Sequence, residues 1–434
     1  QKIQWGVGGG GSYYNYVYSG EEFMLNTWNF LAVRIDGTSQ SLFLNGVKST
    51  GTFVGTRQTN SATIKIGNHY ATNGDYPYEG KLDQIRIYSS ALSDDEIDEL
   101  YNEKPVTDTS NFKPVLYKGN NTIGHYISNV GINLDVDDGG DGGLVWLKNR
   151  TTANSHCLFD TIRGANFRLL SNSNQANTNV TTNITSFDAN GFFLGNAGGV
   201  NANSNNYVAW VWKGGGDAVT LTNAGNVNSD VSVNNAAGFS IVKASYGSHG
   251  SGTGYTKTVK HGLTTDPEII ITKSLGTSNW VTMADTLIGE GKHLLLNDDA
   301  SIGTDPGFVI NTDGTFQTAY STGAHDIIAY CWHSVAGYSK IGIYEGDGNT
   351  NRQVTDVGFQ PNFLLIKNSE NSVTDWLMYD SKRGTTPLAP NQSFAESTYG
   401  TSYEIEFIST GFKIVDSNNA TNQASNDFIY MAFK

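Results

Sequence analysis

The sequence predicts an all-β protein made of several β-sandwich, jelly-roll-like domains in a row, with one short helix near residues 94–102. Three observations carry this prediction. The 434 residues include 50 Gly and 12% aromatic residues but only 16% charged ones, a composition that suits turns and short apolar strands. Apolar residues alternate with period two in short runs bounded by Gly and Asn, and few stretches place Ala, Leu, Glu or Lys at helical spacing. From residue 111 onward one set of landmarks returns three times at a domain-scale period.

In the first hundred residues, "FLAVRI" (30–35) sets Leu31, Val33 and Ile35 on one face. "SLFLNG" (41–46) sets Leu42 and Leu44 together before Asn45-Gly46 makes a two-residue turn. "ATIKIG" (62–67) and "EGKLDQIRIYSSAL" (79–92) supply two more strands, with Leu82, Ile85 and Ile87 as apolar anchors. The helix signal is "ALSDDEIDELY" (91–101). Ser93 is its N-cap, Glu96 completes a capping box, Leu92 and Ile97 form a staple, and Ile97, Leu100 and Tyr101 make one apolar stripe.

This succession, with Trp28 ahead of it, resembles the laminin-G-like, concanavalin A-like sandwich domains over residues 1–104. The resemblance implies a binding scaffold, often for carbohydrate and sometimes calcium-assisted, and it implies that part of the domain precedes Gln1. Two loops are candidates for a glycan site. "GGGGSYYNYVY" (8–18) offers Tyr13, Tyr14 and Tyr16 as stacking rings, and "GNHYATNGDYPY" (67–78) offers Asn68, His69, Asp75 and Tyr76. Both segments also read as plain hairpin tips.

The repeated landmarks begin with a strand: "LVWLKN" (144–149), "EIIITK" (268–273) and "FLLIKN" (363–368). An Asp-led turn follows at Asp160, Asp285 and Asp380, then a Gly-Phe pair at Gly191-Phe192, Gly307-Phe308 and Gly411-Phe412. Each unit closes on a heptapeptide, "YVAWVWK" (207–213), "IIAYCWH" (327–333) or "FIYMAFK" (428–434). The units are 111–213, 237–333 and 336–434, with 214–236 as a polar linker holding one or two short strands. Each heptapeptide is apolar on both faces, so it should be a central strand covered on each side. The Gly before each Phe is expected to supply a positive φ. Cys157 and Cys331 read as small buried hydrophobes rather than a disulfide.

The repeat resembles the C-terminal modules of virion structural proteins of tailed phages, particularly marine ones. Residues 237–273 and 144–213 carry the resemblance most closely, while 137–143 depart from it with an Asp/Gly insertion. It implies a virion appendage, and with it a homo-oligomer, a trimer or a fibre, beside other virion proteins and a host surface glycan.

Chemistry is sparse. "DVDDGGDGG" (135–143) places Asp135, Asp137, Asp138 and Asp141 within seven positions; such a loop can bind calcium, or can simply be a solvated acidic turn. The nearest acid pair, Glu404 and Glu406 in "YEIEF", reads as a solvent-facing strand edge. His261 reads as a structural, hydrogen-bonded residue. Arg163-Gly164 and Arg383-Gly384 recur, but the second unit has Ile288-Gly289, which favours a structural role for that turn. A net charge of −14 argues against nucleic acid, and no apolar run approaches the roughly 20 residues of a membrane span. The expectation is a non-enzymatic virion structural protein (fibre, spike or decoration subunit) that displays host-attachment surfaces. A glycan depolymerase and a bacterial surface adhesin are the alternatives.

Overall fold

The computed structural model describes residues 4–8, 14–23, 29–52, 68–71, 74–77, 87–88, 90–94, 97, 111–246, 257–320 and 326–434. The chain divides into two units, Gln1–Pro105 and Val106–Lys434.

In the first unit β1 (Gln4–Gly8) pairs antiparallel with β2 (Tyr14–Tyr18). β3 (Leu31–Asp36), β4 (Ser39–Leu44) and β5 (Val47–Thr52) form a sheet with β4 in the middle, and β6 (Asn68–Ala71) pairs with β7 (Gly74–Pro77). Asn45 (φ 51°) and Gly46 (φ 83°) make the left-handed turn between β4 and β5, as Asn-Gly predicts. The middle strand buries Leu42, Phe43 and Leu44. β3 is an edge strand, and the face expected to be its apolar one is turned outward, with Leu31 50% and Val33 43% exposed. Ile87, expected as a buried anchor, lies outside any strand and is exposed, so no sheet alternation turns it inward. Of the expected helix, Asp94 and Ile97 are helical, and Ile97 donates its N–H to the Ser93 carbonyl at 3.2 Å. Asp94 pairs with Arg34 and Lys48 on the sheet, both at 2.6 Å. Residues 62–67, 79–86 and the rest of the expected helix lie outside the described residues.

The second unit holds three sandwiches, each a larger sheet faced by a three-stranded one. The first contains β8 (Phe112–Lys118), β9 (His125–Ile127), β10 (Gly143–Asn149), β11 (Cys157–Asp160), β12 (Phe167–Leu170), β13 (Thr178–Asn179), β14 (Ile184–Asp188), β15 (Gly191–Leu194) and β16 (Asn206–Lys213). Its sheets run β13-β12-β11-β10-β16-β8 and β14-β15-β9. The second contains β17 (Val219–Leu221), β18 (Ser229–Asn234), β19 (Phe239–Ser245), β20 (Thr258–Lys260), β21 (Ile269–Ser274), β22 (Trp280–Met283), β23 (Lys292–Leu295), β24 (Gly303–Thr304), β25 (Val309–Ile310), β26 (Thr315–Gln317) and β27 (Asp326–Trp332). These form β17-β18-β19-β27-β21-β22-β23-β24 and β20-β26-β25. Residues 214–236, expected as a linker, therefore extend the second repeat's sheet by two strands. The third contains β28 (Ser339–Glu345), β29 (Arg352–Val354), β30 (Phe363–Asn368), β31 (Leu377–Asp380), β32 (Gly384–Leu388), β33 (Ile405–Ile408), β34 (Gly411–Ile414) and β35 (Asp427–Phe433), in the orders β28-β35-β30-β31-β32 and β29-β34-β33.

The heptapeptide strands β16, β27 and β35 each lie inside their sheet, and their two faces enter two different cores. Tyr207, Ala209 and Val211 fill the first sandwich, and Ile327, Ala329 and Cys331 the second. Phe428, Tyr430 and Ala432 do so in the third. The alternate residues Val208, Trp210 and Trp212, Ile328, Tyr330 and Trp332, and Ile429, Met431 and Phe433 all meet in one core shared by the three repeats. A strand buried on both faces reads as a continuous apolar run, and here its second cover is the other repeats. Both cysteines are free and buried.

Around that shared core the repeats form a closed cycle of equivalent contacts. Lys148 Nζ donates to the Ser393 carbonyl, Lys273 Nζ to Asn174 and Lys367 Nζ to Asp299, each at 3.2 Å. Two residues beyond each lysine a carbonyl accepts a neighbour's N–H: Arg150 from Glu396 (3.0 Å), Leu275 from Asn177 (2.8 Å) and Ser369 from Ile302 (2.8 Å). Trp280 and Trp376 send their indole N–H to the Leu170 and Leu295 carbonyls of the preceding repeat. His156 takes the equivalent place in the first repeat, and burial, together with Lys148 and Arg383 nearby, holds its pKa well below the usual value. Removal from water also lowers the three lysines to about 8.

Two of the three junctions carry a buried ion pair as well. Asp160 pairs with Arg163 at 2.5 Å and accepts the Tyr330 hydroxyl of the second repeat at 2.7 Å. Asp380 pairs with Arg383 at 2.5 Å and accepts the Trp210 indole of the first repeat at 2.9 Å. Asp285 is not the third member of this set. Strand register sets Leu144 opposite Asp160, Phe363 opposite Asp380, and Ile270 opposite Met283, so Ala284 holds the aspartate's place and Asp285 falls one residue late. Ala284, Ile288 and Met431 lie in the shared core with Leu287 against it, so the third junction is apolar where the others are charged.

The Gly-Phe landmark needs a similar correction. In the smaller sheets Phe192 pairs with Ile127, Phe412 with Val354 and Phe316 with Val259, so the second repeat's counterpart is Phe316 rather than Phe308. At Gly191 and Gly411, φ of 155° and 159° sits at the extended end of the positive range. An added Cβ would meet the Ile127 and Val354 carbonyl oxygens at 1.9 and 2.0 Å, so close backbone approach is what demands glycine there.

Candidate functional site

Those glycan candidates that are described fall on two hairpins of the first unit. Tyr14 and Tyr16 occupy alternate positions of β2, opposite Gly8 and Gly6 of β1. On the same strand Val17 is buried and Tyr18 is 57% exposed, which fits a strand with one covered and one open face. In the second hairpin Asn68 pairs with Pro77, and His69 with Tyr76, while Asp75 stands opposite Tyr70. These residues are therefore on paired strands and not on loop tips. Tyr13 lies outside the described residues, and for Tyr14, Tyr16, Asn68, His69, Asp75 and Tyr76 the backbone alone is described.

The four aspartates proposed for calcium are not brought together. The Asn133 side-chain oxygen accepts the Asp135 N–H at 3.0 Å. Gly140 and Gly142 close the loop by donating to the Asp135 and Asn133 carbonyls. Asp137 and Asp138 lie in a single 3₁₀ turn, and Asp141 is drawn to Lys213 at 3.1 Å. Among the described residues no group of three or more His, Cys, Asp or Glu side chains is placed to hold a metal ion. Backbone closure and the pairing of Asp141 with Lys213 organise this loop.

Other polar residues are committed to the fold. Glu406 pairs with Lys413 at 2.7 Å, and Glu404 sits just before β33. His261 is buried, takes the Leu263 N–H on Nδ1 at 3.2 Å, and lies 3.3 Å from Asp266 through Nε2. Burial lowers its pKa, with Asp266 opposing. Asp347 accepts from Asn349, Asn422 and Arg352, and these contacts lower its pKa to about 2. Arg163 and Arg383 are equally structural, each donating to backbone carbonyls beside its aspartate. Among the described residues no helix is long and apolar enough to cross a membrane.

Comparison with known proteins gives two family matches. Residues 1–98 match the concanavalin A-like lectin/glucanases superfamily, so a domain of this kind stands at the N-terminus. Residues 107–434 match a family described as domain of unknown function DUF7483. No curated protein matches the chain significantly. Among solved structures there is a match to an S-layer domain-containing protein (residues 221–444) from Clostridium thermocellum ATCC 27405. It is 27% identical and covers 23% of this chain and 51% of that one, with a TM-score of 0.17. The chain thus spans about half of that structure's length, and the score is too low to bear on the fold. The DUF7483 match takes in three quarters of the sequence, and the chain belongs to that family.

Proposed function

We propose that this DUF7483 protein is a non-enzymatic carbohydrate-binding attachment protein, and that its setting is a phage virion, as a fibre, spike or decoration subunit. The observation that carries the carbohydrate part is the lectin-type match over residues 1–98, on hairpins rich in Tyr, Asn and Asp. The virion setting rests on the resemblance of the hundred-residue repeats to tailed-phage modules. A closed cycle of three repeats also suits an appendage built with threefold character. Its partners are other virion proteins, further copies of itself and a host surface glycan. The test applies the labelled full chain to an array of bacterial surface glycans and separately incubates it with the polysaccharides that bind. Retention without chain cleavage supports the reading. Cleavage favours the depolymerase alternative, and no retention removes the carbohydrate role.

A further inference from the structure

The three repeats act as controls on one another, and one loop of the third carries side chains that its counterparts in the other two lack. In every repeat an Asn brackets the residue just before His156, Trp280 or Trp376. Asn172 donates to Ser155 (3.2 Å), Asn297 to Asn279 (3.1 Å) and Asn391 to Asp375 (2.6 Å). The bracketed residue is neutral in two repeats and a carboxylate in the third. Asp375 also accepts Gln392 Nε2 at 2.9 Å and the Tyr399 hydroxyl at 2.7 Å. Three residues beyond the bracketing Asn stand Gln175, Ala300 and Phe394. Phe394 is 41% exposed. It is angled against Tyr399 (6.4 Å, 61°), which is angled in turn against Tyr403 (5.1 Å, 70°), and both tyrosines pack on the third core.

This loop is held rigid from both sides of Phe394. Lys148 of the first repeat grips the Ser393 carbonyl, and Arg150 and Arg383 both pair with Glu396, at 2.7 and 2.9 Å. A half-open ring packed on Tyr399, whose hydroxyl joins the Gln392 amide on the Asp375 carboxylate, offers what a saccharide needs: an apolar face to stack on and a polar rim for its hydroxyls. Because the loop is already ordered, binding does not have to order it.

We propose that Phe394, Gln392 and Asp375 form a carbohydrate subsite on the DUF7483 unit. The sugar stacks on Phe394, and its hydroxyls donate to the Gln392 side-chain carbonyl and to the remaining acceptor capacity of Asp375. The inference deepens the carbohydrate reading above, moves a site into the second unit, and rests on that reading.

The test is an array of neutral and acidic bacterial glycans probed with the full chain, Phe394→Gln and Phe394→Tyr. Gln occupies the equivalent position in the first repeat, so the substitution suits the loop. Expected are loss of glycan signal by at least roughly tenfold in Phe394→Gln, as for an aromatic anchor, and retention in Phe394→Tyr. Equal binding by wild type and Phe394→Gln overturns the subsite and leaves the general reading standing. No binding by wild type overturns both. A changed sedimentation coefficient with unchanged glycan signal overturns the subsite and assigns the ring to self-association.

Discussion

The buried pair at the junction of the first and third repeats allows a quantitative test of what joins them. Asp380 takes Arg383 Nε at 2.5 Å and Trp210 Nε1 at 2.9 Å, with both charged side chains closed to solvent. Asp380→Ala leaves the guanidinium with the Thr386 and Met378 carbonyls and Glu396 at its rim, and it strands the Trp210 N–H. A buried charge that loses its partner costs about 3–5 kcal/mol. Glu396 offsets part of this, so the expected loss is about 3 kcal/mol. Adding Arg383→Leu removes the stranded charge and copies the apolar solution of the third junction. What remains is an unpaired indole N–H worth about 1 kcal/mol, so the double variant should be more stable than the single one by roughly 2 kcal/mol. Guanidinium denaturation of the full chain, followed by tryptophan fluorescence and far-UV circular dichroism, reads both values. An Asp380→Ala loss under about 1 kcal/mol, or a double variant weaker than the single, would refute the reasoning.

Three further outcomes are expected. The buried lysines titrate near 8 in the folded chain against an ordinary 10.5, so the unfolded chain binds more protons above pH 8 and stability rises with pH. Cys157 and Cys331, pushed up by burial to about 11 and 12, work the other way above pH 9. Stability should therefore climb by about 2 kcal/mol between pH 8 and 9, and a flat or falling denaturation midpoint there would contradict the lysine burial. Asp285, raised by burial from 3.8 to about 6, costs stability as pH rises between those two values, and the cost is complete above about 6. Partly exposed as it is, Asp285→Asn should stabilise by about 1 kcal/mol at pH 7 and by nothing measurable at pH 4. Gly191→Ala forces a Cβ onto the Ile127 carbonyl, whereas Gly400 has nothing within 4 Å. Calorimetry should show a melting temperature several degrees lower for the first and unchanged for Gly400→Ala.

Some of this was legible in residue order because it follows from local rules. Asn45-Gly46 specifies a left-handed two-residue turn wherever it falls, and period-two alternation marks a strand regardless of its partner. "YVAWVWK" announced burial on both faces, and β16 has it. The candidate sites were less legible, because tyrosines and aspartates in Gly- and Asn-rich stretches look the same whether or not they converge. Asp285 was misplaced because motif spacing does not reveal a one-residue offset in strand register, and that offset moves a side chain to the other face. Phe394 passed unnoticed because a lone aromatic has no periodic signal. Only comparison with Gln175 and Ala300 in the folded repeats separates it from the core.

By itself the sequence determined that the chain is all-β, that its last three quarters repeat a sandwich unit, and which strand of each unit is central. Tertiary structure alone decided that the units close on each other around one core. Lys148 reaches a carbonyl 245 residues away, and Trp210 reaches a carboxylate 170 residues away. A hydrophobic period records that a face must be buried, but it does not record what buries it. Backbone carbonyls, which every residue supplies, leave no trace in the sequence of which lysine they will hold.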